Sequence, residues 1–147
     1  MYTESGKLGA NRWVAMFAAF NKIKAPVCVI DCETALTIDI VTGDGKHLCC
    51  LIIPGLDMMR RSLTNNTEGV ILDAERGQEN NVSLPMDTGL AKNTHEAVIG
   101  GTLYALVAMI DRVVKDVADS LDMELSCLIT GGDAEVISPR PEENRSE

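Results

Sequence analysis

Apolar and polar residues alternate along this chain in patterns that predict an α/β domain. Short apolar or β-branched runs between turn residues predict four strands, at residues 27–30, 35–41, 47–53 and 124–129. Apolar residues at helical spacing predict helices at residues 12–24, 56–63 and 94 to about 121, and a turn at 130–134 opens a short fourth helix. This order of elements predicts a mixed β-sheet flanked by helices.

Two of the predicted helices have a clear apolar face. In the first helix, the predicted core stripe consists of Trp13, Met16, Phe17, Phe20 and Ile23. Asn11 stands where it would cap the N-terminus of that helix. In the long helix, the predicted buried side consists of Ala97, Leu103, Leu106, Val107, Ile110, Val113, Val114 and Val117. Gly100 and Gly101 each cost roughly 1 kcal/mol relative to alanine there, which indicates either close helix approach or room for a ligand.

Two polar stretches lie outside the predicted elements. Residues 64–81 are rich in Asn, Glu, Asp and Gly, and predict a loop that orders only when something binds. Residues 138–147 carry too little apolar surface to fold, which predicts a disordered tail. The folded region is therefore expected to be one domain of residues 1–137.

Charge and composition narrow the classes of partner. The formal net charge of −9 disfavours nucleic acid and anionic membranes, because both repel an acidic surface. Uninterrupted apolar runs, such as residues 104–110, are far shorter than the roughly 20 residues needed to span a bilayer. The polar N-terminus is unlike a signal peptide. We expect a cytoplasmic protein that binds small molecules or proteins.

The cysteines and histidines give no metal-binding pattern. The chain has five cysteines and no C-x-x-C pair, which favours reduced, mostly buried thiols. His47 and His95 lack partner residues at zinc-site spacing, so we expect ordinary surface or strand-end histidines. Arg60 and Arg61 are expected to be solvated, with a contact to a partner or to phosphate as the alternative. Asp39 is interpreted either as a second carboxylate near a cation or as a simple strand-end acid.

Polar residues at predicted strand ends are the candidates for chemistry. Asp31 ends the first strand and Thr34 follows three residues later, so their oxygens suit a cation and a phosphate; the alternative is a turn with an Asx-type cap. Residues 130–134, which contain Gly131, Gly132 and Asp133, follow the last strand as a weak signal for a phosphate cradle.

Four sequence blocks in order resemble the type III pantothenate kinases, which belong to the actin-like, acetate and sugar kinase superfamily. The first block is Tyr2 with Leu8-Gly9-Ala10-Asn11-Arg12-Trp13, and the second is Ile30-Asp31-Cys32-Glu33-Thr34-Ala35 with Thr37 and Asp39. The third is His47-Leu48 and Pro54-Gly55-Leu56 with Met59, Ser62 and Leu63, and the fourth is Thr130-Gly131-Gly132-Asp133-Ala134. The resemblance implies an actin-like (ribonuclease H-like) α/β fold.

The resemblance also implies a reaction and a set of site residues. The reaction is ATP-dependent phosphorylation of pantothenate in coenzyme A synthesis, with magnesium and with potassium or ammonium as monovalent cation, by a homodimer. Matched residue by residue, pantothenate would contact Tyr2, Gly9, Arg12 and Thr94. ATP phosphates would contact Thr34, Gly131, Gly132 and Asp133, and the monovalent cation would bind Asp31.

The chain departs from the family pattern at several positions. Asn11 stands where the family has the aspartate expected to accept the hydroxyl proton, a loss that typically costs about 10²–10⁴-fold in rate. Glu33 replaces a turn glycine and adds a possible φ penalty and a negative charge near phosphate. Cys49 and Cys50 replace two glycines. The chain also begins at the block with Tyr2, so the N-terminal half with its phosphate-gripping hairpin is expected to be missing.

Three readings follow from these matches and departures. The first is a pantothenate kinase completed by another chain or by further sequence. The second is a catalytically inactive pseudoenzyme or regulatory protein that binds pantothenate or a partner without turnover. The third is a gene fragment of marginal stability, which would melt with little cooperativity.

Overall fold

The computed structural model describes residues 9–70, 72 and 91–138, which form a mixed β-sheet with helices on both faces. The elements are α1 (Ala10–Ile23), β1 (Val27–Cys32), β2 (Ala35–Val41), β3 (His47–Pro54), α2 (Leu56–Asn66), α3 (Thr94–Leu121), β4 (Ser126–Thr130) and α4 (Ala134–Ile137). The predicted α/β class with a mixed sheet is confirmed. Element ends differ from the predicted bounds by at most three residues, where helices and strands fray.

The sheet brings three carboxyl ends to one edge. Its strand order is β3-β2-β1-β4, with antiparallel pairing of β1 with β2 and of β2 with β3, and parallel pairing of β1 with β4. Strands β1, β3 and β4 therefore run in the same direction and end at the same edge, here called the carboxyl edge. Half of the predicted site residues lie at or near this edge: Asp31, Thr34, Gly131, Gly132 and Asp133.

Alternation along the strands divides the core into two layers. On the α1 face, one cluster is formed by Met16, Ala19, Val27, Val29 and Val41. On the opposite α3 face, a larger cluster is formed by Cys28, Ile30, Cys32, Leu36, Ile38, Ile40, Leu56, Leu103, Leu106, Ile110 and Ile137. The sheet is thus covered by α1 on one side and by α2, α3 and α4 on the other.

The predicted core stripe of α1 is only partly correct. Met16 is buried, but Trp13 and Phe17 are 55% and 63% exposed. The helix instead turns Ala19 toward the valines of the sheet, because a small side chain lets the helix approach the strands closely. Trp13 and Phe17 are consequently left on the outer side of α1, whereas Phe20 and Ile23 pack against this cluster as predicted.

Helix α3 begins and ends at the predicted residues, and its buried positions are Val98, Thr102, Leu103, Leu106 and Ile110. The predicted burial of Ala97 is wrong, since this residue is exposed. A Cβ atom at Gly100 or Gly101 would meet nothing within 4 Å, so close helix approach is also wrong within the described residues. Among the described residues, α3 is the one helix long and apolar enough to cross a membrane. Core helices of soluble proteins meet the same criteria of length and composition.

Candidate functional site

The turn between β1 and β2 is fixed against the end of β3. The backbone N–H of Gly55 donates to the carbonyl of Thr34 at 3.0 Å. A Cβ atom at Gly55 would lie 2.2 Å from the carbonyl oxygen of Glu33, so only glycine fits there. Glu33 and Thr34 are exposed, and Glu33 is not among the described non-glycine residues with positive φ. The expected φ penalty at Glu33 is therefore wrong, and its added charge remains.

The glycine pair after β4 has a structural role at its first position. Gly131 adopts a φ of +98°, and a Cβ atom there would lie 2.4 Å from the carbonyl oxygen of Cys32. The N–H of Asp133 donates to the same carbonyl at 3.1 Å. Gly132, in contrast, is exposed and has open space around it. One N–H of the predicted phosphate cradle is thus already engaged with β1, while Gly132 faces open space.

Asp31 and Thr37 place two side-chain oxygens side by side on the α1 face. These residues are direct partners in the β1/β2 register. The pKa of Asp31 is raised above 3.8 by burial, then by the negative charges of Glu33 and Asp39. The Thr37 hydroxyl is buried and has no hydrogen-bond partner. Such an oxygen pair in a negative environment suits a hard cation, although no group of three or more His, Cys, Asp or Glu ligands gathers in the described part of the chain.

A buried ion pair joins the start of α1 to the middle of the sheet. Asp39 is 2% exposed and accepts hydrogen bonds from Arg12 Nε at 3.0 Å and Arg12 Nη2 at 2.6 Å. His47 Nε2 lies 2.7 Å from the same carboxylate. His47 begins β3, as expected of a strand-end histidine, but the expected lack of a partner carboxylate is wrong. Asp39 is a buried mid-strand carboxylate rather than a strand-end acid. The sequence carries no signal of these partners, because the flanking Ile38 and Ile40 face the opposite side of the sheet. Burial of the charged Asp39 side chain is what requires them.

Asn11 lies inside the first turn of α1, one residue from Arg12. Gly9 is the N-cap and makes no side-chain cap hydrogen bond, so the predicted capping role of Asn11 is wrong. Both Gly9 and Asn11 are exposed, and a Cβ atom at Gly9 would meet nothing within 4 Å. The start of α1 is thus open to a ligand that could reach Arg12. Tyr2, the fourth predicted substrate contact, lies outside the described residues.

Thr94 lies on the other side of the sheet. It begins α3, where the Asn93 side chain accepts from the N–H of Glu96 at 2.9 Å. An apolar groove between α2 and α3, of about 350 Å³, is lined by Met59, Leu63, Thr94, Ala97, Val98, Gly101 and Thr102. The predicted pantothenate contacts are therefore divided, with Gly9 and Arg12 at the start of α1 and Thr94 in the α3 layer.

Arg60 is a cation that the sequence reasoning did not place at the site. It is half-buried, and donates from Nε to the Thr102 hydroxyl at 3.2 Å. Burial lowers its pKa, while Asp133 and Asp57 attract its charge. The expectation of a solvated Arg60 is wrong, whereas Arg61 is exposed as expected. A partly desolvated cation near Asp133 adds positive charge behind the carboxyl edge.

These observations define an α/β domain with a polar site at the carboxyl ends of its strands, where open sheets usually bind ligands. The model of the type III pantothenate kinase family matches residues 1–116. This chain belongs to the type III pantothenate kinase family.

Curated relatives match nearly the whole chain. The type III pantothenate kinase of Nitrosococcus oceani is 41% identical over 143 residues, which cover 94% of this chain and 51% of the relative. That of Alcanivorax borkumensis is 39% identical and is matched over 90% of this chain and 50% of its own length. The chain spans about half the length of these relatives.

A solved structure supports the same architecture. A Baf family protein from Campylobacter jejuni superposes with a TM-score of 0.59 at 22% sequence identity, and the match covers 92% of this chain and 55% of that protein. At this identity the likeness concerns the fold alone. It agrees with the α/β architecture described above.

Proposed function

We propose that this chain forms the substrate- and cation-binding part of an ATP-dependent pantothenate kinase, which phosphorylates pantothenate to 4'-phosphopantothenate in coenzyme A biosynthesis. The observation that carries the proposal is the Arg12 guanidinium, held by Asp39 at the open start of α1. An arginine fixed in this way is suited to a carboxylate, which pantothenate carries. Family membership over residues 1–116 supplies the reaction class.

Pantothenate is proposed to lie against Gly9 and Arg12, with its hydroxyl near Asn11. The exposed N-terminus of α1 supports this placement, because free helix N–H groups and its partial positive charge favour an anionic substrate. Asn11 can hydrogen-bond the hydroxyl but cannot take its proton as a carboxylate does. We therefore expect slow turnover, with Asn11 as a positioning group at the base position. Tyr2 is proposed as a further contact to the same substrate.

The phosphates of ATP are proposed to lie along the carboxyl edge. Thr34 is exposed there and Gly132 has open space around it, while Gly131 and Asp133 tie the β4 turn to β1. The half-buried Arg60 behind this edge supports an anionic ligand at Asp133. A magnesium ion on the phosphates would neutralise the charge that develops during transfer.

The monovalent cation, potassium or ammonium, is proposed to bind Asp31. The unpartnered hydroxyl of Thr37, directly opposite in the register, supports this position as a second oxygen ligand. Three carboxylates shape the local field, since Glu33 and Asp39 both raise the pKa of Asp31. A bound cation would relieve this repulsion and hold Asp31 ionised.

The described domain is proposed to be one half of an actin-like (ribonuclease H-like) fold that acts as a homodimer. The chain spans about half the length of its relatives, which supports the proposal that it is one half of such a fold. Thr94 and Arg12 lie on opposite faces of the sheet. This separation supports a homodimer, because the partner subunit could bring its Thr94 to the substrate. A cytoplasmic location is also proposed, and the net charge of −9 supports a protein that binds neither nucleic acid nor anionic membranes.

The test measures ADP release from ATP by the purified chain with magnesium and potassium, with and without pantothenate. Pantothenate-dependent release that falls in the variant Arg12→Gln is the expected result. Arg112→Gln is the matched control, because Arg112 makes a similar two-bond pair with Asp116 on the surface. A folded chain that neither releases ADP nor binds pantothenate in a calorimetric titration would refute the proposal.

A further inference from the structure

Cys28 and Cys127 are direct neighbours on adjacent parallel strands. The β1/β4 register pairs these two residues, between the pairs Val27 with Ser126 and Val29 with Leu128. Neighbouring strands lie about 4.8 Å apart, which falls within the range of Cα separations that a disulfide spans. Partners in a parallel ladder project to the same face of the sheet, so both thiols lie on the α3 face.

The two thiols have complementary surroundings. Cys28 is fully buried, whereas Cys127 is exposed. A hydrogen bond from Cys28 lowers the pKa of the Cys127 thiol to about 7, although burial and the charge of Asp111 act in the opposite direction. A substantial fraction of Cys127 is therefore thiolate near neutral pH, and the thiolate is the reactive form.

Cys32, the third cysteine whose side chain is described, differs from Cys127 in both exposure and pKa. Cys32 is buried at the end of β1, and its partner in the β1/β2 register is Leu36. Burial raises the pKa of Cys32 to about 11, with smaller contributions from Asp31 and Asp133. Cys32 therefore remains a protonated, unreactive thiol under conditions in which Cys127 reacts.

We propose that Cys28 and Cys127 form a redox-active pair that a peroxide converts reversibly into a disulfide between β1 and β4. The Cys127 thiolate attacks one peroxide oxygen; an S–O bond forms, the O–O bond breaks, and the departing hydroxide takes a proton to become water. Cys28 then loses its proton and attacks the sulfenic sulfur of Cys127. The S–S bond forms, the S–O bond breaks, and a second water leaves. Two thiols lose two electrons, and one peroxide is reduced to two waters.

The disulfide would join strands whose carboxyl ends carry the proposed ligand-binding residues. Asp31 follows Cys28 by three residues on β1, and Thr130 follows Cys127 by three residues on β4. The cross-link would also close a long loop that contains β2, β3, α2 and α3, which should raise the thermal midpoint. This chemistry does not depend on the proposed kinase reaction.

Peptide mapping tests the proposal directly. The purified full chain is treated with hydrogen peroxide, its remaining thiols are blocked with iodoacetamide, and it is digested with trypsin without reduction. Cys28 and Cys32 lie in the tryptic peptide 25–46, Cys127 in 116–145, and Cys49 and Cys50 in 47–60. We expect a species of 25–46 joined to 116–145, lighter than their sum by two hydrogen atoms and split by dithiothreitol. Fragmentation should place the bond at Cys28.

Variants separate this pair from unspecific oxidation. Cys127→Ser, at an exposed position, should abolish the linked peptide and the peroxide-induced rise in the thermal midpoint. Cys32→Ala is the matched control, because Cys32 is a buried cysteine on the same strand as Cys28. Its peptide 25–46 carries alanine in place of Cys32, and the bond between Cys28 and Cys127 should still form. A bond through Cys32, Cys49 or Cys50, irreversible oxidation of Cys127 alone, or no loss of free thiol would each overturn the proposal. Loss of kinase activity with an intact Cys28–Cys127 bond would bear only on the proposed function.

Discussion

The ion pair between Arg12 and Asp39 predicts a large and specific effect of one substitution. Asp39→Asn keeps the size of the side chain and one acceptor oxygen, but it removes the negative charge. Both Arg12 and His47 contact the Asp39 carboxylate in the native chain. In the variant, the amide NH₂ would therefore face an N–H donor of one of these side chains. The Arg12 charge would then remain partly buried without its counter-ion.

The magnitude follows from the burial of the two partners. Removing one partner of a buried ion pair costs about 3–5 kcal/mol, because the other charge is left uncompensated. The Asp39 side chain is 3% exposed and that of Arg12 is 13% exposed, so the guanidinium could rotate partly toward water. We therefore expect the lower end of this range, a decrease of about 3 kcal/mol in the free energy of unfolding. At a urea dependence of about 2 kcal/mol per M, the midpoint would fall by about 1.5 M.

Urea denaturation followed by circular dichroism measures this change. The matched control is Asp116→Asn, which removes the carboxylate of an Arg–Asp pair with two hydrogen bonds on the exposed side of α3. Exposed pairs of this kind contribute about 0.3–0.5 kcal/mol. Equal midpoints for the two variants would refute the argument that the buried pair fixes α1 to the sheet.

Three further predictions concern the carboxyl edge and the start of α1. Asn11→Asp combined with Glu33→Gly should raise any pantothenate-dependent ADP release at least tenfold, because it restores a base and removes a charge near phosphate; no change would contradict both assignments. The pKa of Asp31 is raised in the folded chain, so the free energy of unfolding should fall as the pH rises above 3.8. Asp31→Asn should reduce this fall. The same variant should abolish any potassium-induced rise in the thermal midpoint, measured against choline chloride at equal ionic strength. Gly131→Ala should destabilise the chain by about 2–4 kcal/mol in urea denaturation, since its Cβ would enter the backbone of β1 at a φ of +98°, whereas Gly132→Ala should change little.

The elements of the fold could be predicted because their signals are local. The β-branched runs of β1 and β2 and the long apolar period of α3 each specify an element within a few residues. Gly43 and Gly45 mark the hairpin turn between β2 and β3. The end of α3 at Leu121 was predicted although the C-cap, Asp122, adopts a left-handed conformation. Such features need no knowledge of tertiary contacts.

The partners across the sheet could not be predicted in the same way. Asp39 contacts both Arg12 and His47, and its contact with Arg12, 27 residues away in the sequence, depends on how α1 lies on the strands. The exposure of Trp13 and Phe17 depends on that same packing, since a helical stripe shows periodicity but not which of its edges meets the core. No local signal indicated the partners of Asp39, because alternation places the flanking Ile38 and Ile40 on the opposite face of the sheet.

Glu33 illustrates how the structure changes the meaning of a sequence departure. Glutamate in place of a turn glycine suggests backbone strain, but Glu33 does not have a positive φ. The glycine that this turn requires is Gly55, because a Cβ atom there would collide with the carbonyl of Glu33. What Glu33 adds is negative charge, which raises the pKa of Asp31. Its effect should therefore weaken with salt and with a bound cation, whereas a strained backbone would respond to neither. In the proposed kinase, the Glu33 carboxylate would therefore make the carboxyl edge more dependent on a bound cation, and it would weaken phosphate binding rather than the stability of the fold.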